Sequence, residues 1–319
     1  MTVQAYAVAS DTGRRRRRNE DNYVVAPPLF AVADGMGGAQ AGEVASKLAA
    51  SALEDAEGSL HGVERVAALV REANRRVYER ATSDPAASGM GTTMTVALVE
   101  NGVVAIGHVG DSRAYLVRDG RMEQLTDDHS LVNELLKSGK LSPEEAEIHP
   151  QRSVITRAVG TDPDVDVDAF TIDAHEGDVF LLCSDGLTDM VEDEHILDLI
   201  ERHRDDLDRA VRSLVAAANR GGGEDNITAV AFRIAAGSGE AAVVQTTEPD
   251  EDTMESPPVH AAVDTMVIPP ERIEKELIEA GSEAVVAGPI DTRARLWLAL
   301  AMVALLGVVA AVLVWGLVR

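Results

Sequence analysis

The sequence predicts an α/β (α+β) domain of antiparallel sheets covered by helices, joined through an acidic tether to one membrane-crossing helix. Three observations predict it. Short apolar runs alternate with paired helical stretches over residues 1–236, Asn101-Gly102 and Asp119-Gly120 each separate a pair of such runs, and Leu296 to Val318 carries no charged residue. Apolar alternation marks a half-buried strand, and Asn-Gly or Asp-Gly between two strands is the strongest short-range signal for a tight hairpin.

The strands are expected at Ala5 to Ala9, Tyr23 to Ala26, Leu29 to Ala33, Thr93 to Val99, Val103 to Val109, Ala114 to Val117, Val179 to Cys183 and Ile227 to Ile234. Helical periodicity falls at Gly42 to Glu57, Val63 to Ala81, Glu194 to His203 and Asp205 to Asn219. Because these helices come in pairs between blocks of strands, regular βαβ winding is disfavoured. Ser142 and Glu145, with Pro143 between them, fit a capping box that starts a further short helix.

Residues 237–295 read as a linker, since acidic residues far outnumber Arg272, Lys275, Arg293 and Arg295, and six prolines are scattered through it. Within it, a short helix over 270–280 competes evenly with a charged coil. The apolar stretch 296–318 would span roughly 34 Å as a helix, enough to cross a bilayer. Arg293 and Arg295 precede it, and Trp297 and Trp315 sit near its ends like interfacial anchors, so the bulk of the chain is expected on the cytoplasmic side of the cell membrane. The first 25 residues show no apolar core of a signal peptide.

A formal net charge of -25 repels phosphate backbones, and 3% aromatic residues leave little for stacking on bases, so no nucleic-acid partner is expected. A single cysteine, Cys183, excludes an internal disulfide and fits a reducing compartment. It also cannot serve a cysteine-phosphatase loop, because the arginine such a loop requires six positions on is Asp189.

The functional signal is where the aspartates fall. Asp34 ends LFAVAD before a Gly-Met-Gly-Gly run, Asp111 ends VVAIGHVGD, Asp185 ends VFLLCSD, and Asp225 precedes NITAVAFRI. With Glu20 and Asp21 they place carboxylates at strand ends, which converge on a rim. Carboxylates gathered there repel one another unless a cation neutralises them, and all-oxygen ligation suits Mg²⁺ or Mn²⁺. Calcium is the weaker alternative, since no EF-hand loop is present.

The segments GRRRRRNED, VADGMGG, GTTMTVAL, VGDSRAYL, LTDDHS, ITRAVG, LLCSDGL and GGGEDNIT follow one another in the order seen in the metal-dependent protein phosphatases of the type 2C family. Residues 1–236 resemble the bacterial members. The resemblance implies a sandwich of two antiparallel sheets flanked by pairs of helices, with two Mn²⁺ or Mg²⁺ ions in a cleft at one end and a third, weaker site. It implies that Asp34 bridges the two metals, that Gly35 lends its carbonyl, and that Asp21, Asp185 and Asp225 complete the coordination. Glu20 and Asn226 would hold these ligands from behind, and Asp111 would serve the third ion. Arg16 resembles the family's phosphate-binding arginine, whose planar fork can hold two phosphoryl oxygens. With Asp34 it completes the catalytic pair.

The expected reaction is hydrolysis of phosphoserine and phosphothreonine by a metal-activated water, on phosphorylated proteins that include membrane-associated serine/threonine kinases. The alternative is a catalytically idle, membrane-tethered phosphoprotein-binding scaffold on the same fold. One departure matters: eukaryotic members carry a histidine general acid where this chain has Met36, leaving the leaving-group acid to metal-bound water. Residues 131–155 fall where bacterial members carry a mobile flap. The run Arg14 to Arg18 is either a lipid-binding patch or a solvated loop in which Arg16 alone has a defined task. His108, His129 and His149 are read as structural. Thr247 with Asp250, and Thr265 with Ile268, have the form read by forkhead-associated domains once phosphorylated.

Overall fold

A computed structural model describes residues 1–37, 41–54, 60–236 and 266–267. Its first strands are β1 (Thr2–Asp11), β2 (Asp21–Ala26) and β3 (Leu29–Met36), followed by helices α1 (Ala41–Glu54) and α2 (Gly62–Ser83). Five strands come next: β4 (Gly91–Thr92), β5 (Met94–Glu100), β6 (Val103–Val109), β7 (Arg113–Arg118) and β8 (Arg121–Gln124). Two short helices, α3 (Leu131–Lys137) and α4 (Pro143–Glu147), lead to β9 (Val154–Ile155), β10 (Asp168–Asp173) and β11 (Val179–Cys183). Helices α5 (Asp185–Thr188), α6 (Asp193–Arg202) and α7 (Leu207–Gly221), then β12 (Ile227–Ala235), close the domain, and β13 (Met266–Val267) follows in the tail.

The strands form two antiparallel sheets, ordered β1-β12-β11-β7-β8 and β10-β6-β5-β3-β2, with β4 beside β3. Both anticipated hairpins are present. Asn101 and Gly102 turn β5 into β6 with φ of 52° and 86°, and Asp119 and Gly120 turn β7 into β8 with φ of 52° and 71°. Two successive positive φ values are the type I′ geometry, which asparagine, aspartate and glycine adopt at least cost.

Each sheet buries one face against the other and one against helices. Between the sheets, Phe30 stacks on Phe232 at 4.3 Å between ring centroids, and Phe180 on Phe232 at 5.1 Å. Three of the chain's four phenylalanines are thus placed on the seam, each contributing about 1.5–3 kcal/mol by burial. Outside, α1 and α2 cover one sheet through small residues such as Ala45, Ala49, Ala52 and Ala73. On the other side, α7 buries Leu207, Ala210, Val211, Leu214 and Ala218, three and four apart as one helical face demands. Cys183 lies inside that layer, where burial pushes its thiol up to about 12.

The structure corrects two expectations. Asp34 does not end its strand, since β3 runs on to Met36. The strands β8 and β10 are additional: their half-exposed, acid-bearing sequences RMEQ and DAFTID lack the apolar run that marks a central strand, and both are sheet edges. Among the described residues no helix is long and apolar enough to cross a membrane. The expected span 296–318, the helix over 270–280, the charged tether apart from 266–267, and Thr247 and Thr265 with their motif partners lie outside the described residues.

Beneath the end of β6, His108 is fully buried. Its Nε2 lies 3.1 Å from the Asp127 carbonyl, which can only accept, so that nitrogen carries the proton; Nδ1 then faces the Thr95 hydroxyl at 2.9 Å. Burial, then the neighbouring His129, lowers its pKa from 6.5 to about 3. Between those values the unfolded chain binds a proton the folded one refuses, so stability falls as pH falls below 6.5. Going from pH 6.5 to 5 should therefore cost wild type about 2 kcal/mol more than a His108→Gln variant, read by urea unfolding at both pH values. Parallel losses in the two proteins would refute this.

Candidate metal centre

Every predicted site residue lies at one end of the sandwich because of strand register. Asp21 at the start of β2 stands opposite Asp34 in β3. Met94 pairs with Val109, which brings the β6–β7 turn and Asp111 to the same end. In the second sheet Cys183 lies between Arg113 and Ala229, so Asp185 just after β11 and Asp225 just before β12 arrive together.

Asp34 is the centre of the group. Its carboxyl is close enough to those of Asp21, Asp185, Asp225 and Asp111 for each to act on it electrostatically. Its backbone is fixed: the Thr93 amide and the Thr92 hydroxyl donate to the Asp34 carbonyl at 2.8 Å each, and the Asp34 amide donates to Thr93 Oγ1 at 2.9 Å. Burial, then the charges of Asp21, Asp185, Asp225 and Asp111, holds the Asp34 carboxyl well above the usual carboxylate range. Burial followed by Asp111, Asp225 and Asp189 does the same to Asp185. Asp21 is pushed up to about 6 and Asp111 to about 7, both mainly by burial. Like charges crowded in a poorly solvated pocket give this pattern, and a cation relieves it.

The residues present fit divalent ions. Oδ1 of Asp21 and Oδ1 of Asp185 are buried without a hydrogen-bond partner. A buried carboxylate oxygen left unpaired is costly in a protein that uses no ligand there. Among the described residues, no three His, Cys, Asp or Glu side chains close on one point. Four carboxylates act on Asp34, and a set of all-oxygen donors with unpartnered buried oxygens suits hard divalent ions that draw further oxygens from the backbone and solvent.

Around this ring the supporting contacts are specific. Asn226 accepts the Glu20 amide at 2.7 Å and donates to the carbonyls of Thr12 at 2.9 Å and Arg18 at 2.8 Å, which pins the arginine loop to the start of β12. Ser184 donates to Asp21 Oδ2 at 2.8 Å. Arg16 donates to Asp225 Oδ2 at 2.7 Å, so the expected phosphate ligand and an expected metal ligand are in direct contact. Arg15 pairs with Glu224 and Arg18 with Glu43, so with Arg16 three of the five arginines face acidic residues beside the site.

Sequence reasoning missed the second tier. Arg113 pairs with Asp128 at 2.7 Å beneath Asp111, and Asp168 accepts from Arg157 at 2.6 Å and from the His129 Nε2–H at 3.3 Å. His129 Nδ1 accepts the Gly110 amide at 3.0 Å and so braces the turn that carries Asp111. Arg113 in VGDSRAYL, Asp128 and His129 in LTDDHS and Arg157 in ITRAVG stood in recognisable segments, but nothing in the sequence pairs one segment with another; Asp168 stood in none. The His149 Nδ1 accepts the Gln151 amide at 3.2 Å, a local contact within its own loop.

The sequence model of the protein phosphatase 2C family matches residues 15–222. The chain belongs to that family. Serine/threonine protein phosphatase PstP of Mycobacterium tuberculosis is 42% identical over 231 residues, covering 72% of this chain and 44% of the relative. Serine/threonine phosphatase stp of Listeria monocytogenes is 41% identical, covering 69% of this chain and 91% of the relative. The chain thus spans under half the length of the mycobacterial relative and nearly all of the listerial one. Among solved structures, the M. tuberculosis phosphatase PstP/Ppp superposes with a TM-score of 0.69 at 40% identity, covering 74% of this chain and 100% of that one. The PstP catalytic domain in complex with two manganese ions gives a TM-score of 0.67 at 38% identity, with the same coverage. The type 2C architecture, two antiparallel sheets between helices, is therefore shared by this chain and those phosphatases.

Proposed function

We propose that this type 2C domain hydrolyses phosphoserine and phosphothreonine on proteins, using two Mn²⁺ or Mg²⁺ ions, and that the chain is anchored in the cell membrane by residues 296–318 with the domain cytoplasmic. The observation that carries the catalytic reading is the ring of Asp21, Asp34, Asp111, Asp185 and Asp225 with two unpartnered buried oxygens, beside the Arg16 guanidinium. The relatives named as serine/threonine phosphatases support it, and the intact acidic ring argues against an idle scaffold.

In this reading Asp34, the Gly35 carbonyl, Asp21, Asp185 and Asp225 would hold the two ions, and Asp111 would hold a third. Bound there, the ions supply an activated water and neutralise charge on the phosphoryl group. Arg16 turns its guanidinium from Asp225 to the phosphoryl oxygens and fixes the phosphorus for in-line attack. Asn226 and Glu20 keep the Arg16 loop in register with β12 during that exchange. The Met36 side chain has no proton to give, so residue 36 takes no part in freeing the serine or threonine oxygen.

The membrane reading rests on the uncharged stretch 296–318 with Arg293 and Arg295 before it, and it makes phosphorylated membrane proteins, serine/threonine kinases among them, the natural substrates. The experiment is hydrolysis of a phosphothreonine peptide by the full-length chain. Turnover is expected only with added Mn²⁺ or Mg²⁺ and is expected to vanish in excess chelator. Undiminished turnover in chelator would overturn the metal-dependent reading.

A further inference from the structure

Among the described residues, Met266–Val267 of the tail pairs with the domain. Met266 and Val267 form β13, which pairs in parallel with β9, Met266 opposite Val154 and Val267 opposite Ile155. The first partner of β9 belongs to the domain: Ile155 also forms an antiparallel bridge with Ser130. A two-residue strand thus has one edge taken by the domain and the other by a segment about thirty residues beyond the end of β12.

The position of β9 gives that pairing a consequence. Ile155 packs with Met36 and Ala158, and Met36 lies two residues beyond Asp34 on the same strand. Arg152, just before β9, reaches Asp189 at 3.6 Å, and Asp189 follows Asp185 by one helical turn. The Thr156 amide, just after β9, donates to the His129 carbonyl at 2.8 Å. The strand therefore runs along the rim of the carboxylate ring, and a chain laid against it passes beside the site.

The tail sequence suits such pairing. Met266-Val267-Ile268 is a small island of strand-forming residues in a stretch dominated by acids and prolines, and Pro269-Pro270 directly after it cannot extend a hydrogen-bonded ladder. Main-chain pairing of an extended peptide to an open strand edge needs little side-chain specificity. A covalent connection of about thirty residues keeps the segment's effective concentration high, so even a weak two-residue pairing is populated in cis.

We propose that the open edge of β9 is a docking edge for an extended peptide, that the tail strand Met266–Val267 occupies it in cis, and that it thereby competes with phosphoprotein substrates for the rim of the site. The competition rests on the phosphatase reading given above; the docking does not. A docked tail lowers the apparent affinity for polypeptide substrates and leaves a small aryl phosphate, which needs no rim, unaffected.

The test uses the full-length chain and a Met266→Pro/Val267→Pro variant, whose substitutions lie outside the two sheets and remove both backbone donors of β13. Hydrogen–deuterium exchange of residues 152–156 is expected to quicken several-fold in the variant. With Mn²⁺, KM for a phosphothreonine peptide long enough to extend past the site is expected to fall about threefold, with kcat and aryl phosphate turnover unchanged. A synthetic peptide of residues 262–270 added to the variant should restore the higher KM. Equal exchange in both proteins would overturn the docking. Quickened exchange with unchanged KM would overturn the competition. Failure of the wild-type chain to turn over either substrate would refute the phosphatase reading, while the exchange comparison still decides the docking.

Discussion

Asp34→Asn is expected to lower metal-dependent turnover by about three orders of magnitude and, in the same protein stripped of divalent ions, to raise the melting temperature at pH 7. The two effects share a cause. Asp34 is the carboxylate that Asp21, Asp185, Asp225 and Asp111 all act upon, and burial followed by those charges holds its pKa well above the ordinary 3.8. A carboxyl whose folded pKa is raised stabilises the fold below its unfolded value and loses that contribution as pH rises through the folded one, so ionised Asp34 strains the ion-free protein near neutrality. Asparagine keeps the shape and removes the charge. Divalent ions would turn the same crowding into affinity, and removing the central charge would lower that affinity. Calorimetry with and without Mn²⁺ should therefore show a large ion-dependent stabilisation in wild type and a small one in the variant. Retained turnover, or an ion-free melting temperature no higher than wild type, would contradict this account.

What the sequence made legible was local chemistry. The two Asn-Gly and Asp-Gly turns set the hairpins at β5–β6 and β7–β8, and the alternation in Val103–Val109 placed its strand to the residue. The aspartates were visible because each stands beside glycine or another small residue at the margin of an apolar run. Two of the four edge strands were not legible: β1 and β2 carry apolar runs, whereas β8 and β10 are stabilised by pairing with a neighbour more than by their own half-exposed residues. Nor were the polar contacts that set the ring, since Asn226 to Glu20 and Arg16 to Asp225 join residues more than two hundred positions apart. Register alone makes them neighbours. The pairing of β13 with β9 was hidden for the same reason, in a segment whose composition reads as tether.

Gly35→Ala is expected to be nearly as damaging as the loss of Asp34, through packing instead of charge. Gly35 has an ordinary backbone conformation, so its need for glycine comes from close approach. A Cβ there would lie 2.2 Å from the Gly42 carbonyl oxygen and 2.6 Å from that of Glu20. The contact is reciprocal, since a Cβ on Gly42 would meet the Gly35 oxygen at 2.7 Å. These obstacles are backbone atoms of α1 and of the loop entering β2, and neither can swing aside as a side chain would. Relief requires α1 to move off the sheet or β3 to slide against Glu20, to whose carbonyl the Gly35 amide donates at 3.2 Å. Either motion carries Asp34 away from Asp21. Ordinary overpacking costs about 1–3 kcal/mol, and a clash against backbone on two sides belongs at or above the top of that range. For a domain of this size, about 3 kcal/mol lowers the melting temperature by roughly 10 °C. Gly89→Ala is the control: it shares the loss of glycine, but a Cβ there meets nothing within 4 Å, and its φ of 78° costs only about 1–2 kcal/mol. Urea unfolding of the three proteins, with Mn²⁺-dependent turnover at a temperature where all remain folded, separates the two effects. Gly35→Ala should lose most of its turnover even while folded, whereas Gly89→Ala should keep it; a Gly35→Ala protein as active and as stable as the control would show that the approach of α1 to β3 does not set the geometry of the ring.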